Sequence, residues 1–241
     1  MKIKFLGTAD SAGIPAHNCK CIICQEHREK GKLNLATSAY IKCENDDVIL
    51  LDAGVENIST IFDGVKIKAV FLTHFHADHA LGLLRLRYSS DEIDCYHPKD
   101  KNGFADLFKH KKAISYKQNQ PFEPIVVNGI KFTPVPLKHS KNTTGYLIED
   151  GTATIAYLTD CAGIDESTMK FLLLKKIDEC YIDGCLSPDY KNGNHLNYEE
   201  ASDILDQIAA PKSYLIHSCH QTLEYIKQNN IQLKYNYLKL A

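Results

Sequence analysis

Within six residues, His74-Phe-His76-Ala-Asp78-His79 offers three imidazoles and a carboxylate. The apolar run Val70-Phe-Leu-Thr73 leads into it, so a buried strand ends where the ligands begin. His74 and His76 alternate along an extended segment, and both rings can point to one side. Asp78 and His79 fall at the start of the next helix and can face a second cation. Neutral imidazole and carboxylate suit Zn²⁺, Mn²⁺ or Fe²⁺. The alternative, a histidine-rich surface loop, leaves the strand–loop–helix context unexplained.

Four ligands in one loop cannot close two sites, so later strand ends must contribute. His139 follows Pro134-Val-Pro-Leu137, Asp160 follows Ile155-Ala-Tyr-Leu-Thr159, and His217 follows Tyr214-Leu-Ile216. Each is a metal-ligating residue directly after a hydrophobic run, where ligand pockets gather. Asp52, in Leu50-Leu-Asp-Ala-Gly54, is either a turn former or a carboxylate that orients a ligand histidine.

Nine cysteines are an odd number, and three cluster as Cys19-Lys-Cys21-Ile-Ile-Cys24. That spacing does not suit a disulfide ladder. It suits a structural Zn²⁺ lacking one ligand, in a Cys-rich loop at about 17–27. His17, His27 and His220 are the fourth-ligand candidates. His220 is preferred, because it would tie the C-terminal helix to the N-terminal loop. The alternative is a cluster of reduced, unliganded thiols. Cys43, Cys95, Cys161, Cys180 and Cys185 read as packing residues.

Strand-like runs at Lys2–Gly7, Thr37–Cys43, Val48–Ala53 and Ile67–Thr73 must position these groups, with a helix near Asn57–Phe62. Next come a strand at Asp94–Tyr96, a helix at Asn102–Lys109 and a strand at Ala113–Tyr116. A second strand-rich half has Ile125–Asn128, Ile130–Pro136, Thr144–Glu149 and Thr154–Thr159. Asn45-Asp-Asp47, Asn128-Gly129 and Asp150-Gly151 mark hairpin turns. Helices at Asp165–Lys175, Tyr198–Ile208 and Gln221–Gln228 then alternate with strands Glu179–Asp183 and Ser213–His217. Two such halves imply an α/β fold, a four-layer αββα sandwich forming one domain over residues 1–241.

The 241 residues carry a net charge of −2 and are 44% hydrophobic. This balance gives no global basic field for nucleic acid. No apolar stretch approaches the ~20 residues that cross a bilayer. The start, MKIKFLGTAD, reads as a first strand rather than a signal peptide, and a cytoplasmic location is expected.

The motif His74-x-His76-x-Asp78-His79 resembles the signature of the metallo-β-lactamase superfamily. Asp52-Ala53-Gly54 and the order His139, Asp160, His217 resemble it too. The resemblance implies one cation at His74, His76 and His139 and another at Asp78, His79 and His217. Asp160 would bridge both, and a hydroxide would fill the remaining bridging position. Longer stretches are similar to the phosphodiesterase of the bacterial carbon–phosphorus lyase pathway. They include Asp106-Leu-Phe-Lys-His110, Pro136-Leu-Lys-His139-Ser-Lys141, Gly145-Tyr-Leu-Ile-Glu149, Thr159-Asp-Cys-Ala-Gly163, Met169-Lys-Phe-Leu172, Asn194-His-Leu-Asn197 and His217-Ser-Cys-His-Gln221.

That likeness implies hydrolysis of 5-phosphoribosyl 1,2-cyclic phosphate to ribose 1,5-bisphosphate in phosphonate catabolism. It implies manganese (or zinc) at the paired site, one structural zinc and a homodimer. It also brings His195, in the polar loop Asn192-Gly-Asn-His195, to the site to protonate the leaving oxygen or hold a phosphate oxygen. His195 and Asp78 form the expected catalytic set. His97, Thr143-Thr144 and Asp183-Gly-Cys185 depart from the family pattern and are expected to tune substrate choice. A tRNA 3′-processing nuclease, a thioester or lactone hydrolase, and a non-enzymatic cofactor-pathway protein are the rival readings. The first would need a Gly/Pro-rich basic arm, which the sequence does not show.

Overall fold

The computed structural model describes residues 1–190 and 193–240. The first run of elements is β1 (Ile3–Ala9), α1 (Ile22–Glu29), β2 (Leu35–Ala36), β3 (Ser38–Lys42), β4 (Val48–Leu51), α2 (Ile58–Ile61), β5 (Ile67–Phe71), α3 (Ala77–Ala80), α4 (Leu83–Leu86), β6 (Ile93–His97) and β7 (Ile114–Gln118). The second is β8 (Ile125–Val127), β9 (Ile130–Leu137), β10 (Thr143–Glu149), β11 (Thr154–Leu158), α5 (Glu166–Leu173), β12 (Glu179–Asp183), α6 (Tyr198–Ile208), β13 (Lys212–Ile216) and α7 (His220–Gln228).

Strand alternation divides the apolar residues among three cores. Val48 and Leu50 of β4 face one core with Ile58, Leu83 and Leu86 of the neighbouring helices. Ile49 and Leu51, the alternate residues, face a second core shared with Phe132, Tyr146, Ile155 and Tyr157. On β11 the next pair, Ala156 and Leu158, faces a third core with Leu172 of α5 and Ala201 and Leu205 of α6. Strands buried on both faces read as continuous apolar runs, as β4 and β11 do. The result is helix, sheet, sheet, helix: the expected four layers.

The sheet orders are β2-β1-β3-β4-β5-β6-β7 and β13-β12-β11-β10-β9-β8. The expected hairpins form antiparallel pairs: β3 with β4, β8 with β9, and β10 with β11. Asn128 and Gly129 turn between β8 and β9 with φ of 52° and 76°, the positive values that a tight two-residue turn requires. The later strands β4-β5-β6-β7 and β11-β12-β13 run parallel, so their carboxyl ends collect along common edges. Among the described residues, no helix is long and apolar enough to cross a membrane.

Two local expectations are corrected. Residues 102–109 form turns, not a helix. The Asp100 carboxylate accepts both the Asn102 and Gly103 N–H groups, and Ala105 takes a left-handed φ of 49°. Side-chain capping of that kind competes with helix formation. Conversely, the Cys-rich segment is a loop only as far as Cys21; α1 follows it, with the Cys21 Sγ accepting the Cys24 N–H as its cap.

Candidate metal centre and active-site cavity

Asp52, Thr73, His139, Asp160, Asp183 and His217 all sit at or just beyond the carboxyl ends of strands. His74 follows β5 by three residues, and Thr73 beside it is tied to Asp52 beyond β4. The Asp52 Oδ1 accepts the Thr73 N–H at 2.7 Å, and its Oδ2 lies 2.8 Å from His79 Nδ1. Asp52 is fully buried, and burial raises its pKa despite these partners. It therefore orients His79, leaving Nε2 to face inward. Tyr157 of the opposite sheet also reaches Asp52 Oδ2, and the Tyr146 hydroxyl donates to the Leu72 carbonyl at 2.7 Å. The floor of the site is thus stitched across both sheets.

Asp52 and His217 take positive φ of 61° and 59° immediately after their strands. Such conformations cost roughly 1–3 kcal/mol each for non-glycine residues and persist where the surroundings hold them. Gly54 has a steric reason of its own: a Cβ there would meet the Asp78 carbonyl oxygen at 1.5 Å. The loop carrying His76, Asp78 and His79 rests directly on the Gly54 backbone.

The side chains form two groups joined by one carboxylate. Donor atoms of His74, His76, His139 and Asp160 lie within 4.8 Å of one another, as do those of Asp78, His79, Asp160 and His217. His76 Nδ1 stands 2.8 Å from His74 Nε2 and 3.2 Å from His139 Nε2. Asp160 turns Oδ2 to the first group, 3.8 Å from both His74 and His139 Nε2. It turns Oδ1 to the second, 3.3 Å from His79 Nε2 and 3.1 Å from His217 Nε2. The structure thus brings together the seven side chains the sequence singled out, in two groups that share Asp160.

The chemistry of this donor set fits cations. His79 Nε2 and His217 Nε2, which face this group, are buried without a hydrogen-bond partner, an expensive state that a bound cation would relieve. Burial pushes the pKa of His74 well below the usual value, aided by His79, and lowers His76 and His139, keeping these rings neutral as ligands must be. Around the second group, burial alone would lower His79 and His217. The Asp160 charge outweighs it, raising His79 strongly and His217 to about 9. Burial alone would also raise Asp78 and Asp160, yet the facing histidines hold both carboxyls low. The same negative potential that draws protons to these rings would hold a divalent ion.

A cavity of about 420 Å³ opens onto this centre, lined by His76, Asp78, His139, Asp160 and His217 on one side and by Asp10, Ser140, Ser187 and His195 elsewhere. That volume suits a small molecule. His195 Nδ1 lies 2.7 Å from Asp183 Oδ2, and its ring stacks on His217 with centroids 4.9 Å apart. Burial would lower the His195 pKa, but Asp183 raises it. Part of the loop before His195 falls at Asn192, outside the described residues. His139 is fixed from behind by the Asn194 carbonyl, 2.8 Å from its Nδ1.

Sequence reasoning passed over Asp183 as a partner of His195, and read Cys185 as packing. The structure instead places Cys185 on the cavity wall, where its backbone N–H donates to Asp183. Of the other departures from the family pattern, His97 is buried in an aromatic cluster with Phe75, Phe108 and Tyr116. Thr143 and Thr144 are buried in β10. None of these three lines the cavity, so of the positions expected to tune substrate choice only Cys185 touches it.

The second centre lies apart. Among the described residues, Cys19, Cys21, Cys24 and His220 bring their donor atoms within 4.8 Å of one another. His220 Nδ1 stands 3.6 Å from Cys19 Sγ and 3.5 Å from Cys21 Sγ. Neither alternative, His17 nor His27, joins the group. Three thiols and one imidazole fit a tetrahedral structural zinc. α1 and α7 are further joined by Ile22 N–H to Glu224 and by the Lys227–Glu26 ion pair.

Comparison with known proteins agrees with this architecture. A β-lactamase superfamily domain profile matches residues 48–218. The probable metallo-hydrolase YhfI of Bacillus subtilis (strain 168) is 28% identical over 206 residues, covering 78% of this chain and 82% of that protein. The octanoyltransferase of Porphyromonas gingivalis is 27% identical over 240 residues, covering 91% of this chain, which spans only 46% of that relative's length. Among solved structures, a diphosphatase from the PhnP family superposes with a TM-score of 0.81 at 24% identity, covering 98% of this chain and 93% of the other. Human tRNase Z, short form, superposes with a TM-score of 0.69 at 17% identity, covering 99% and 96%. The chain belongs to the metallo-β-lactamase superfamily of metal-dependent hydrolases.

Proposed function

We propose that this protein is a two-metal phosphodiesterase acting on a small cyclic or linear phosphodiester. 5-Phosphoribosyl 1,2-cyclic phosphate is the substrate to try first. The observation that carries the reading is the placement of His195 on the wall of the cavity that opens onto the Asp160-bridged donor cage, held from behind by the buried Asp183. A simple hydrolytic cage needs only the ligands. An added imidazole held by a buried carboxylate suits a reaction whose leaving group departs as an alkoxide.

His74, His76 and His139 would hold one cation and Asp78, His79 and His217 the other, with Asp160 shared. Bound there, a pair of divalent ions supplies charge neutralisation and a water of lowered pKa. The protein's own residues do the rest. Asp52 fixes the His79 tautomer, and the Asn194 carbonyl fixes that of His139. Asp183 holds His195 through Nδ1, which leaves Nε2 to give a proton to the departing oxygen. Along the wall, the Ser140 and Ser187 hydroxyls can donate to a phosphate oxygen, and Asp10 can accept from a sugar hydroxyl. We extend the proposal to manganese at the pair, zinc at Cys19, Cys21, Cys24 and His220, and a homodimer.

The test is a panel assay of manganese-loaded protein. Bis-(p-nitrophenyl) phosphate and cyclic phosphates should be turned over, and lactones, thioesters and precursor tRNA should not. Turnover confined to lactones or thioesters would overturn the reading.

A further inference from the structure

A third group of donors lies against the proposed active site. Asp183, Cys185, His195 and His217 bring their donor atoms within 4.8 Å of one another. Zinc bonds of about 2.0–2.3 Å set neighbouring donors about 4 Å apart or less, so small side-chain rotations would suffice. The group is assembled by the backbone. Gly184 donates its N–H to the Ile216 carbonyl, which sets the end of β12 beside that of β13 and His217. The Asp183 carboxylate accepts the Cys161 and Cys185 N–H groups at 2.8 and 2.9 Å and cannot rotate freely. A separate observation points to a ligand: His217 turns Nε2 to the Asp160-bridged cage, and its Nδ1 is buried with no hydrogen-bond partner. Cys185, His195 and His217 all line the cavity, so an ion from solvent can reach them.

We propose that these four residues form an additional cation site for thiophilic divalent ions of the zinc class, and that filling it inhibits the enzyme. Thiolate selects zinc or cadmium over manganese or magnesium. On binding, the Cys185 thiol gives its proton to solvent and forms the metal–sulfur bond. His195 releases its Nδ1 proton to solvent by way of Asp183 and carries its remaining proton on Nε2, so that the neutral ring would ligate through Nδ1. His217, whose Nε2 faces the Asp160-bridged cage, would release its Nδ1 proton to solvent as well and bind through that nitrogen as an imidazolate. The imidazole that would serve the leaving group is then occupied. The inhibitory half rests on the role given to His195 above; the binding half does not.

The experiment is equilibrium dialysis with metal analysis of manganese-loaded parent, Cys185→Ser and Cys185→Ala, together with turnover of bis-(p-nitrophenyl) phosphate. At saturating zinc the parent should bind one more equivalent per chain than either variant. Added zinc should cut parent turnover about tenfold and leave that of the variants within twofold. Cobalt in place of zinc should give the parent extra thiolate-to-cobalt absorption that both variants lack. Equal stoichiometry in parent and variants would sink the site, whatever the activity. An extra equivalent without inhibition would sink the inhibitory role alone. Absence of phosphodiesterase turnover before zinc is added counts against the proposed function and leaves the stoichiometry to decide the site.

Discussion

The Asp183 carboxylate holds His195 Nδ1 at 2.7 Å while also accepting two backbone N–H groups. His195→Ala should keep both active-site metals and the fold, and lose about 10²–10⁴-fold in kcat on a phosphodiester, the usual worth of general acid catalysis. Turnover within twofold of the parent would remove the role.

Because Asp183 raises the His195 pKa, the protonated ring survives to higher pH than an ordinary histidine. The falling limb of the kcat–pH profile should lie above the unperturbed value of about 6.5. Asp183→Asn should move that limb to lower pH. The stability sign is set by the same shift: the pairing contributes fully below the unfolded pKa and is lost as pH rises through the folded one. Melting curves of Asp183→Asn should therefore differ most from the parent at low pH. An unmoved limb would refute the assignment.

Asp160 faces both donor groups, so Asp160→Ala should empty both at once. Metal analysis should show about two equivalents lost and the zinc of the cysteine cluster kept. Loss of a single equivalent would show that Asp160 is not shared.

Gly54→Ala forces a methyl into the Asp78 carbonyl. The loop must shift, so Asp78 and His79 should lose alignment. We expect at least one active-site equivalent lost and a melting temperature lower by several degrees, in line with severe steric substitutions. A variant with full metal content would contradict the contact.

Cys24→Ser or His220→Asn should remove one zinc per chain and lower the melting temperature, since metal binding free energy is folding free energy where a site must be assembled. His220 lies three residues after His217, so turnover should fall as well. Unchanged zinc content would dismiss the site.

The candidate ligand cluster was legible because His74, His139, Asp160 and His217 each come after an apolar run, with His76, Asp78 and His79 close behind His74. A chain of strands ending in His or Asp has few other readings. The hairpins were legible through Asn128-Gly129 and Asp150-Gly151. Asp183 was not recognised as a partner of His195, because a carboxylate closing a strand has one local signature whether it caps, ligates or orients. α1 was hidden because it buries only Cys24 and begins with a thiol cap instead of Ser, Thr, Asp or Asn. The expected helix at 102–109 failed because the Asp100 turn, invisible to periodicity, captured its first N–H groups. Cys185 looked like packing because its cavity is made by segments distant in sequence.

The stitches from Tyr157 to Asp52 and from Tyr146 to Leu72 have a mechanical consequence. Opening the halves of the sandwich like jaws would break both bonds and expose the apolar core between the sheets. The opposite wall of the cavity, where Ser187, Tyr190 and His195 stand, carries neither of these two ties.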